Sequence, residues 1–160
     1  MVLEMYIQIF NILHNVPFTI LRYANVYGPR QTSKGEGGVI SIFFKKILNG
    51  ESPIIFGDGE QTRDFVYVKD VALANVLAIE NGTNEIFNIG CDSKISINEL
   101  YQMITSLTSI NIRSLSLPER KGDIRYSRLD NTKASNLLGW NPAYDLKAGL
   151  NETLKYYKGS

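Results

Sequence analysis

Asn25 is the first of several polar residues in the sequence that can bind a phosphorylated ligand. It lies at the end of the run FTILRYANVY, whose β-branched and aromatic residues predict a buried strand over 18–27. Ligands of α/β proteins bind at the carboxyl ends of strands. An amide at such an end can donate to and accept from a hydroxyl or a phosphate. Asn25 is therefore a candidate ligand-binding residue.

Two further polar segments contain arginine. Arg63 follows a glycine-rich turn and begins a predicted strand, and its guanidinium can form two parallel hydrogen bonds with a phosphate. Arg120 and Asp123 share a polar loop, where the arginine could bind a phosphate and the carboxylate could accept from ribose hydroxyls. Each segment has a structural alternative: a turn-forming Asn25, a local ion pair between Arg63 and Asp64, and a solvated charged loop.

The sequence excludes several catalytic and metal-binding arrangements. It has one histidine, His14, and one cysteine, Cys91. An HExxH zinc motif, a cysteine-rich zinc site and an internal disulfide are therefore impossible. His14 lies in an amphipathic segment, where a surface position at a helix end is favoured over a catalytic one. We predict no catalytic residue and no metal site in this sequence.

Glycine spacing also argues against a complete nucleotide cradle. Two Gly-x-Gly pairs, at 35/37 and 57/59, lack the third glycine of a dinucleotide-binding fingerprint, because Ile40 and Thr62 occupy those positions. Neither pair opens a helix directly after a strand, and the sequence contains no Walker A lysine motif. By motif alone, the sequence predicts no nucleotide-binding cradle of its own.

Composition narrows the class of protein further. A chain of 160 residues is enough for one domain or slightly more, and 44% hydrophobic residues suffice for a packed core. Seventeen Lys and Arg against 16 Asp and Glu give a net charge of +1, which does not support binding to nucleic acid or to a membrane surface. Apolar runs are too short for a membrane helix, and no export signal opens the sequence. With a single cysteine, these features predict a reduced, cytoplasmic location.

Hydrophobic patterning predicts the elements that must position these polar residues. Met1–Asn15 is predicted to be a helix that is apolar on most sides, so it is expected to be buried, in this chain or in a larger body. Asp70 is predicted to cap a helix at 71–80, and Ser96 with Glu99 has capping-box spacing. The other predicted helices cover 39–49, 100–107, 132–138 and 146–157, and the other predicted strands cover 53–56, 64–68, 86–89 and 112–117. Strands that alternate with helices predict an α/β protein.

Five segments together resemble one protein family. They are LRYANVYGPRQ at 21–31, IIFGDGEQTRDFVYVKDVA at 54–72, IFNIG at 86–90, ERKGDIRYSRLDNTKASNLLGW at 119–140 and LKAGLNETLKYY at 146–157. In order and spacing they are similar to the C-terminal half of an extended short-chain dehydrogenase/reductase. The nearest match is the NAD-dependent nucleotide-sugar epimerases and dehydratases, the UDP-glucose 4-epimerases in particular. The resemblance extends over nearly the whole chain.

The resemblance implies an architecture. It implies an α/β fold in which residues 1–27 and 66–90 form an incomplete NAD(P)-binding Rossmann-like sheet remnant. Residues 28–65 and 91–160 would form the small α/β substrate-binding domain. The family's glycine-rich phosphate loop and catalytic YxxxK belong to its N-terminal half and are not in this sequence. The chain is therefore expected to be truncated just after the catalytic lysine and inactive by itself. Homodimerisation or exchange of elements is expected to cover its open strand edges.

The resemblance also implies a set of ligand-binding residues, called here the UDP-sugar clamp. Its members are Asn25, Val39, Ile40, Ile55, Phe56, Arg63, Arg120 and Asp123. Arg63 and Arg120 would neutralise the diphosphate, and Asp123 would accept from ribose hydroxyls. Ile55 and Phe56 would offer backbone hydrogen bonds to the uracil edge.

The remaining assignments concern the sugar, the helix start and the cofactor. Asn25 would contact the sugar-phosphate region, and Val39 and Ile40 would lie near the nucleotide, partly through backbone groups. Tyr23 and Ala24 would border the nicotinamide of NAD. No other cofactor is implied.

The implied function is the NAD-dependent interconversion of UDP-sugars at C4. The alternatives are a non-catalytic nucleotide-sugar-binding fragment, and a dTDP-sugar dehydratase or UDP-glucuronate-processing relative. Gly38 stands where some 4-epimerases have an asparagine, which removes one candidate hydrogen bond to the sugar. The sequence therefore leaves the sugar and the base open.

Overall fold

The computed structural model describes residues 2–32 and 37–159. Its helices are α1 (Val2–His14), α2 (Val39–Leu48), α3 (Val68–Asn81), α4 (Ile97–Thr108), α5 (Thr132–Leu138) and α6 (Leu146–Gly159). Its strands are β1 (Thr19–Tyr23), β2 (Asn25–Tyr27), β3 (Ile54–Phe56), β4 (Thr62–Arg63), β5 (Phe65–Tyr67), β6 (Glu85–Ile89), β7 (Ile95–Ser96) and β8 (Leu115–Leu117). The first residue of the predicted helix at 1–15 lies outside the described residues, as does the first glycine of the 35/37 pair.

The described strands pair two by two. β1 pairs with β6, β2 with β5 and β3 with β8, all in parallel. β4 pairs with β7 in the antiparallel direction. Parallel neighbours need long connections between them, and helices form those connections here. The α/β class predicted from the alternation of elements is confirmed.

The prediction of one buried strand over 18–27 is wrong, because the chain changes partner at Ala24. The Ala24 N–H donates to the Ile89 carbonyl at 2.9 Å, and the next N–H, of Asn25, donates to the Asp64 carbonyl at 2.8 Å. Successive amides thus reach different strands, which divides the segment into β1 and β2. Most residues of the two strands are half-buried or exposed. The segment 64–68, predicted as a single strand, contains β5 and is followed directly by α3, which begins at Val68.

Two clusters of buried side chains hold the elements together. The first cluster joins β5, β6, α3 and α5, and the second cluster joins α2, α4 and α6 with β3 and β5. Members of the first cluster are Val66, Val71, Ala74, Phe87, Ile89, Ala134, Leu138 and Trp140. Members of the second cluster are Tyr27, Ile40, Phe43, Phe44, Ile47, Ile55, Phe65, Tyr67, Ile97, Leu100, Ile104, Leu150 and Leu154. Helix α5 packs in the first cluster although the predicted domains group it with the second, and those domain boundaries stay a prediction.

Asp70 does not cap α3, contrary to the prediction. The helix begins at Val68, two residues before Asp70, so Asp70 lies inside the first turn, where it is buried. Its carboxylate accepts from the backbone N–H groups of Ala143 at 3.0 Å and Tyr144 at 3.2 Å. The side chain thereby ties α3 to the segment that precedes α6. The capping box of Ser96 and Glu99 at the start of α4 is confirmed.

Helix α1 forms where it was predicted, but none of its described residues is buried within this chain. Glu4 anchors it to β1 through two hydrogen bonds from Arg22, at 2.8 and 2.7 Å. Its large apolar side chains, each more than a third exposed, are Val2, Leu3, Met5, Tyr6, Ile7, Ile9, Phe10, Ile12 and Leu13. The outer face of α3 also exposes Leu73, Val76 and Ile79. Both helices therefore present large apolar side chains that this chain does not cover.

Candidate functional site

The polar candidates meet in one cleft of about 300 Å³. The cleft lies between the start of α2, strands β3 and β4, and the loop that follows β8. The members of the UDP-sugar clamp that line it are Asn25, Val39, Phe56, Arg63, Arg120 and Asp123. The rest of the lining is Gly37, Gly38, Ile54, Gln61 and Ile97. Ile40 and Ile55 do not line the cleft, because their side chains are buried in the second cluster.

Arg63 is held in the cleft wall by hydrogen bonds to three neighbours. One terminal nitrogen, Nη1, donates to the carbonyls of Thr62 at 2.9 Å and Ile124 at 2.6 Å. The other, Nη2, donates to Asp123 Oδ1 at 2.5 Å. The Nε–H and the second Nη2–H have no partner among the described residues and are available to an anion. Arg63 and Asp123, both members of the UDP-sugar clamp, are therefore held together in the cleft before any ligand binds.

The local ion pair between Arg63 and Asp64, the structural alternative for this segment, does not form. The Asp64 carboxylate is fully buried and faces away from the cleft. It accepts from the Cys91 N–H at 3.0 Å, the Ser93 hydroxyl at 3.0 Å and the Leu129 N–H at 3.3 Å. Because successive side chains of an extended chain point to opposite faces, burying one of the pair directs the other to the cleft.

Arg120 supplies a second cation to the cleft. Its guanidinium carbon lies 3.8 Å from the centre of the Phe56 ring, which is cation–π geometry. None of the ion pairs found among the described residues includes Arg120. The ring fixes the guanidinium over the cleft without neutralising it, so its charge remains available to an anion.

The start of α2 adds backbone donors to the same cleft. Gly38 is the residue before the first helical turn, and no side chain caps that turn. The N–H groups of Val39 and Ile40 belong to the first turn, so they have no acceptor inside the helix. Such an end carries a partial positive charge and binds anions. Ile40 can therefore take part only through its backbone.

Strand β3 offers the cleft only part of its backbone. The Leu115 N–H donates to Pro53, and the Gly57 N–H donates to Leu117, both at 2.9 Å. In the parallel pattern that these bonds define, Ile55 directs both backbone groups to β8 and Phe56 directs its groups the other way. A backbone contact to a ligand is thus open to Phe56 and not to Ile55.

The cleft continues into an apolar cavity of about 280 Å³. The two spaces share Gly37, Val39, Ile54, Phe56 and Arg120. Beyond this shared wall, the second cavity is lined by Ile42, Phe43 and Lys46. Together they form a groove with a cationic end and an apolar end. A ligand that combines phosphate with a flat ring matches this distribution of polar and apolar groups.

Tyr23 and Ala24, predicted to border a nicotinamide, do not line this groove. The Tyr23 hydroxyl donates to Asn75 Oδ1 at 3.0 Å, beside a hollow between β1 and α3. Ala24 packs against the first cluster near Gly90. Both lie at the carboxyl end of β1, where the ligands of α/β sheets bind. Their contact with a cofactor stays a prediction.

Gln61 lines the cleft and was not among the predicted site residues. It is 8% exposed, and its Nε2 donates to the Phe56 carbonyl at 2.9 Å. Its Oε1 is buried without a partner among the described residues. A signal for it existed in the sequence, because Gln61 and Arg63 are two positions apart and an extended chain places such residues on the same face.

The two residues that most often act as nucleophiles or bases take no part in this cleft. His14 is exposed at the end of α1, with its ring 5.3 Å from that of Phe10. Burial and, next, the Asp64 carboxylate raise the pKa of the Cys91 thiol to about 12. Within residues 2–32 and 37–159, no cluster of three potential metal-ligating residues occurs. Over the same residues, no helix has both the length and the apolar character needed to cross a membrane.

Comparison with known proteins gives consistent matches. The model of the NAD dependent epimerase/dehydratase family matches residues 1–90. A Methanocaldococcus jannaschii protein, provisionally named UDP-glucose 4-epimerase, is 48% identical over 157 residues, which are 98% of this chain and 51% of the relative. A UDP-N-acetyl-alpha-D-glucosaminuronate decarboxylase of Bacillus cytotoxicus is 35% identical over 153 residues, 91% of this chain and 48% of the relative. The chain spans about half the length of the curated relatives it matches.

Solved structures give the same result. The crystal structure of UDP-glucose 4-epimerase from Thermotoga maritima, solved with UDP-glucose, superposes with a TM-score of 0.96 at 47% sequence identity. The match covers 98% of this chain and 50% of that one. The short parallel strand pairs and the helices between them are thus those of a solved fold.

Proposed function

The chain belongs to the NAD-dependent epimerase/dehydratase family, and from this premise we propose that it supplies the nucleotide-sugar-binding part of an enzyme that interconverts UDP-sugars at C4. Its fold matches the C-terminal part of the extended short-chain dehydrogenases/reductases. The observation that carries the proposal is the cleft in which Arg63, Arg120 and the open start of α2 converge. Each of the three supplies positive charge or N–H donors to the same small volume.

The diphosphate would occupy the cationic end of the groove. A diphosphate diester carries two negative charges, and Arg63 and Arg120 supply two guanidinium groups from distant segments. Charge-assisted hydrogen bonds of this kind are roughly twice as strong as neutral ones. The N–H groups of Val39 and Ile40 would add donors along the axis of α2.

The nucleoside would occupy the apolar end. Phe56 could face a base with its ring and offer a backbone group to the base edge, while Ile42 and Phe43 line the far wall. Asp123 keeps its Oδ2 free of partners among the described residues, so it can accept from ribose hydroxyls while Oδ1 stays with Arg63. The UDP-sugar clamp would thus act through Phe56 rather than Ile55 on the base.

The sugar would extend from the diphosphate towards Asn25, at the junction of β1 and β2. When bound, NAD supplies the hydride acceptor at the sugar C4. Tyr23 and Ala24, at the end of β1, are the residues of this chain that would border it.

No tyrosine of this sequence is followed by a lysine four residues later, so the chain offers no YxxxK pair for the O4 proton. We therefore expect binding without turnover by this chain.

A second candidate function differs only in the fate of the sugar. Relatives include UDP-sugar decarboxylases as well as epimerases. Gly38 carries no side chain towards the sugar, and the amide of Gln31 fills the space that a larger residue would need, at 2.6–2.8 Å from an ideal Cβ. In either case the groove would bind the nucleoside diphosphate. The alternative to epimerisation at C4 is the reaction of a decarboxylase or a dehydratase.

The exposed apolar side chains of α1 and of the outer face of α3 are candidates for contact with another protein chain. Large apolar side chains exposed in such numbers on a helix are typical of an interface. We propose that a second copy of the chain, by dimerisation or by exchange of elements, covers this surface.

Titration calorimetry of the chain with UDP tests the proposed binding function. We expect binding that weakens with salt, and a loss of affinity of about tenfold or more in Arg120→Ala, since a charge-assisted contact is removed. Arg63→Lys keeps the charge and loses the forked geometry, so it should also weaken binding. Arg128→Ala is the matched control, because Arg128 lies outside the cleft. No heat at millimolar UDP, or equal affinities in Arg120→Ala and Arg128→Ala, would overturn the proposal.

A further inference from the structure

The loop after β8 carries two members of the UDP-sugar clamp, Arg120 and Asp123, yet it has almost no apolar support. Every residue from 115 to 126 is exposed. Burial of apolar surface cannot hold such a segment, because its side chains remain largely in water. Apart from the contact of Arg120 with the Phe56 ring, polar contacts must therefore decide where the loop lies relative to the cleft.

One forked ion pair joins this loop to the turn between β3 and β4. Arg125 donates from Nη1 to Asp58 Oδ1 at 2.6 Å and from Nη2 to Asp58 Oδ2 at 2.8 Å. The turn itself is fixed by two further contacts. Asp58 Oδ1 accepts from the Glu60 N–H at 2.9 Å, and Asn98 Nδ2 donates to the Asp58 carbonyl at 2.9 Å. The arginine is thus attached to a rigid point next to α4.

Backbone contacts continue from that point into the cleft. The Thr62 N–H donates to the Arg125 carbonyl at 2.9 Å, and Arg63 donates to the Ile124 carbonyl at 2.6 Å. Asp123, the next residue upstream, pairs with Arg63. Residues 123–125 therefore lie along β4 in a fixed register that begins at the Asp58 contact.

We propose that Asp58 and Arg125 form a positioning pair that orders the loop for ligand binding without touching the ligand. The inference rests on the proposed function and goes beyond it, because neither residue belongs to the UDP-sugar clamp or lines the groove. Both terminal nitrogens of Arg125 are directed to a carboxylate, so its charge is neutralised in place. Of Arg120 and Arg125, only the first is left for an anion.

The pair keeps its charge at every pH used for binding. The Arg125 guanidinium and, next, the Glu60 N–H lower the pKa of Asp58 to about 2. A carboxylate whose folded pKa is depressed loses its contribution only when the pH falls through that value. Loop order that depends on Asp58 should therefore be constant at neutral and mildly acidic pH.

A second forked pair provides a matched control in the same part of the chain. Arg128 donates through Nε and Nη2 to the two carboxylate oxygens of Asp92, with similar exposure of both side chains. It attaches the chain to the segment after β6, downstream of Arg120 and Asp123 and away from the turn before β4. Breaking it removes the same kind of contact without releasing the part of the loop that enters the cleft.

The test combines UDP affinity with amide hydrogen exchange. Asp58→Asn should weaken UDP binding about three- to tenfold, and Arg125→Gln should do the same. Because the two side chains act as a unit, the double variant should be no weaker than either single one. Exchange at residues 119–125 should accelerate in all three variants, while α4 stays protected. Asp92→Asn should leave UDP affinity within twofold of the wild type.

The outcomes separate this inference from the proposed function. If the wild-type chain binds UDP and Asp58→Asn binds it equally well, the positioning pair is wrong and the proposed function stands. If Arg125→Gln weakens binding far more than Asp58→Asn and reduces its salt dependence, Arg125 contacts the phosphates and the inference is overturned. If the wild-type chain does not bind UDP, both fail. A parallel loss of thermal stability in Asp58→Asn, with unchanged exchange in the loop, would also contradict it.

Discussion

Helices α1 and α2 are both rich in large apolar residues, and their surroundings in the molecule are opposite. Helix α2 buries Ile40, Ser41, Phe43, Phe44 and Ile47 against α4 and α6. Helix α1 buries none of its described residues and is held to β1 by the pair of Arg22 and Glu4. The contrast separates a region that packs within this chain from a region whose apolar surface has no cover in it.

The same contrast explains where the candidate site is. The cleft borders the packed region, so the second cluster fixes the start of α2 and β3 before any ligand arrives, and pairing with β7 holds β4. Tyr23 and Ala24 lie away from α2, next to α3 and the first cluster. The part of the proposed site that would bind the nucleotide is thus supported by packing within this chain. The part that would bind the cofactor is represented in this chain only by residues at the end of β1. Hydrophobic pattern predicted both helices equally well and did not distinguish these surroundings.

The largest expected effect comes from one residue type placed in the two regions. Phe44→Ala should lower the free energy of unfolding by about 3–5 kcal/mol, because it leaves a cavity in the second cluster. Phe10→Ala, in the exposed face of α1, should change it by less than about 0.5 kcal/mol in the dissociated chain. Urea denaturation of the two variants measures the difference. Similar losses in both would mean that α1 is buried in the folded monomer.

A smaller effect on stability is expected at Asp64, the buried carboxylate between β4 and β5. Asp64→Asn should cost about 2 kcal/mol of unfolding free energy, because an amide cannot accept at both positions from Cys91, Ser93 and Leu129. Asp92→Asn, which breaks an exposed pair nearby, is the control and should produce no measurable change. Thermal or urea unfolding of the two variants measures the difference in their stability. Equal stability of the two variants would show that the junction does not depend on the buried carboxylate.

The smallest effect on stability is expected on the surface proposed as an interface. The double variant Leu3→Lys, Ile12→Lys changes two highly exposed side chains of α1, so the unfolding of the dissociated chain should stay the same. If a second copy covers this surface, the variant should sediment as a monomer and the wild type as a dimer, since two charges would enter an apolar interface. A monomeric wild type would contradict the proposed interface.

Local signals in the sequence predicted the parts of the fold that depend on neighbouring residues. Ser96 and Glu99 form the capping box that their spacing indicated, and Gly139 ends α5 with the positive φ of 66° that glycine adopts easily. The short helices and strands lie near their predicted positions for the same reason. Their ends are set by backbone hydrogen bonds that close within a few residues.

Predictions failed where the partner of a group lies far along the chain. Asp70 has the sequence context of a cap, but it accepts from residues more than 70 positions away. The run at 18–27 has the composition of one strand, yet it divides because β5 and β6 each take part of it. The clamp itself was predicted by resemblance to a family, and the resemblance could not tell which of Ile55 and Phe56 directs its backbone away from β8.

The sequence by itself determined the α/β alternation, the ends of several helices and the residue types able to bind a phosphorylated ligand. Only the tertiary structure decided that Arg63 pairs with Asp123 instead of Asp64, that Arg120 rests on Phe56, and that Arg125 is engaged by a carboxylate. The physical reason is range. Capping and periodicity act over a few residues, whereas the direction of a charged side chain depends on which distant segment folding brings opposite to it.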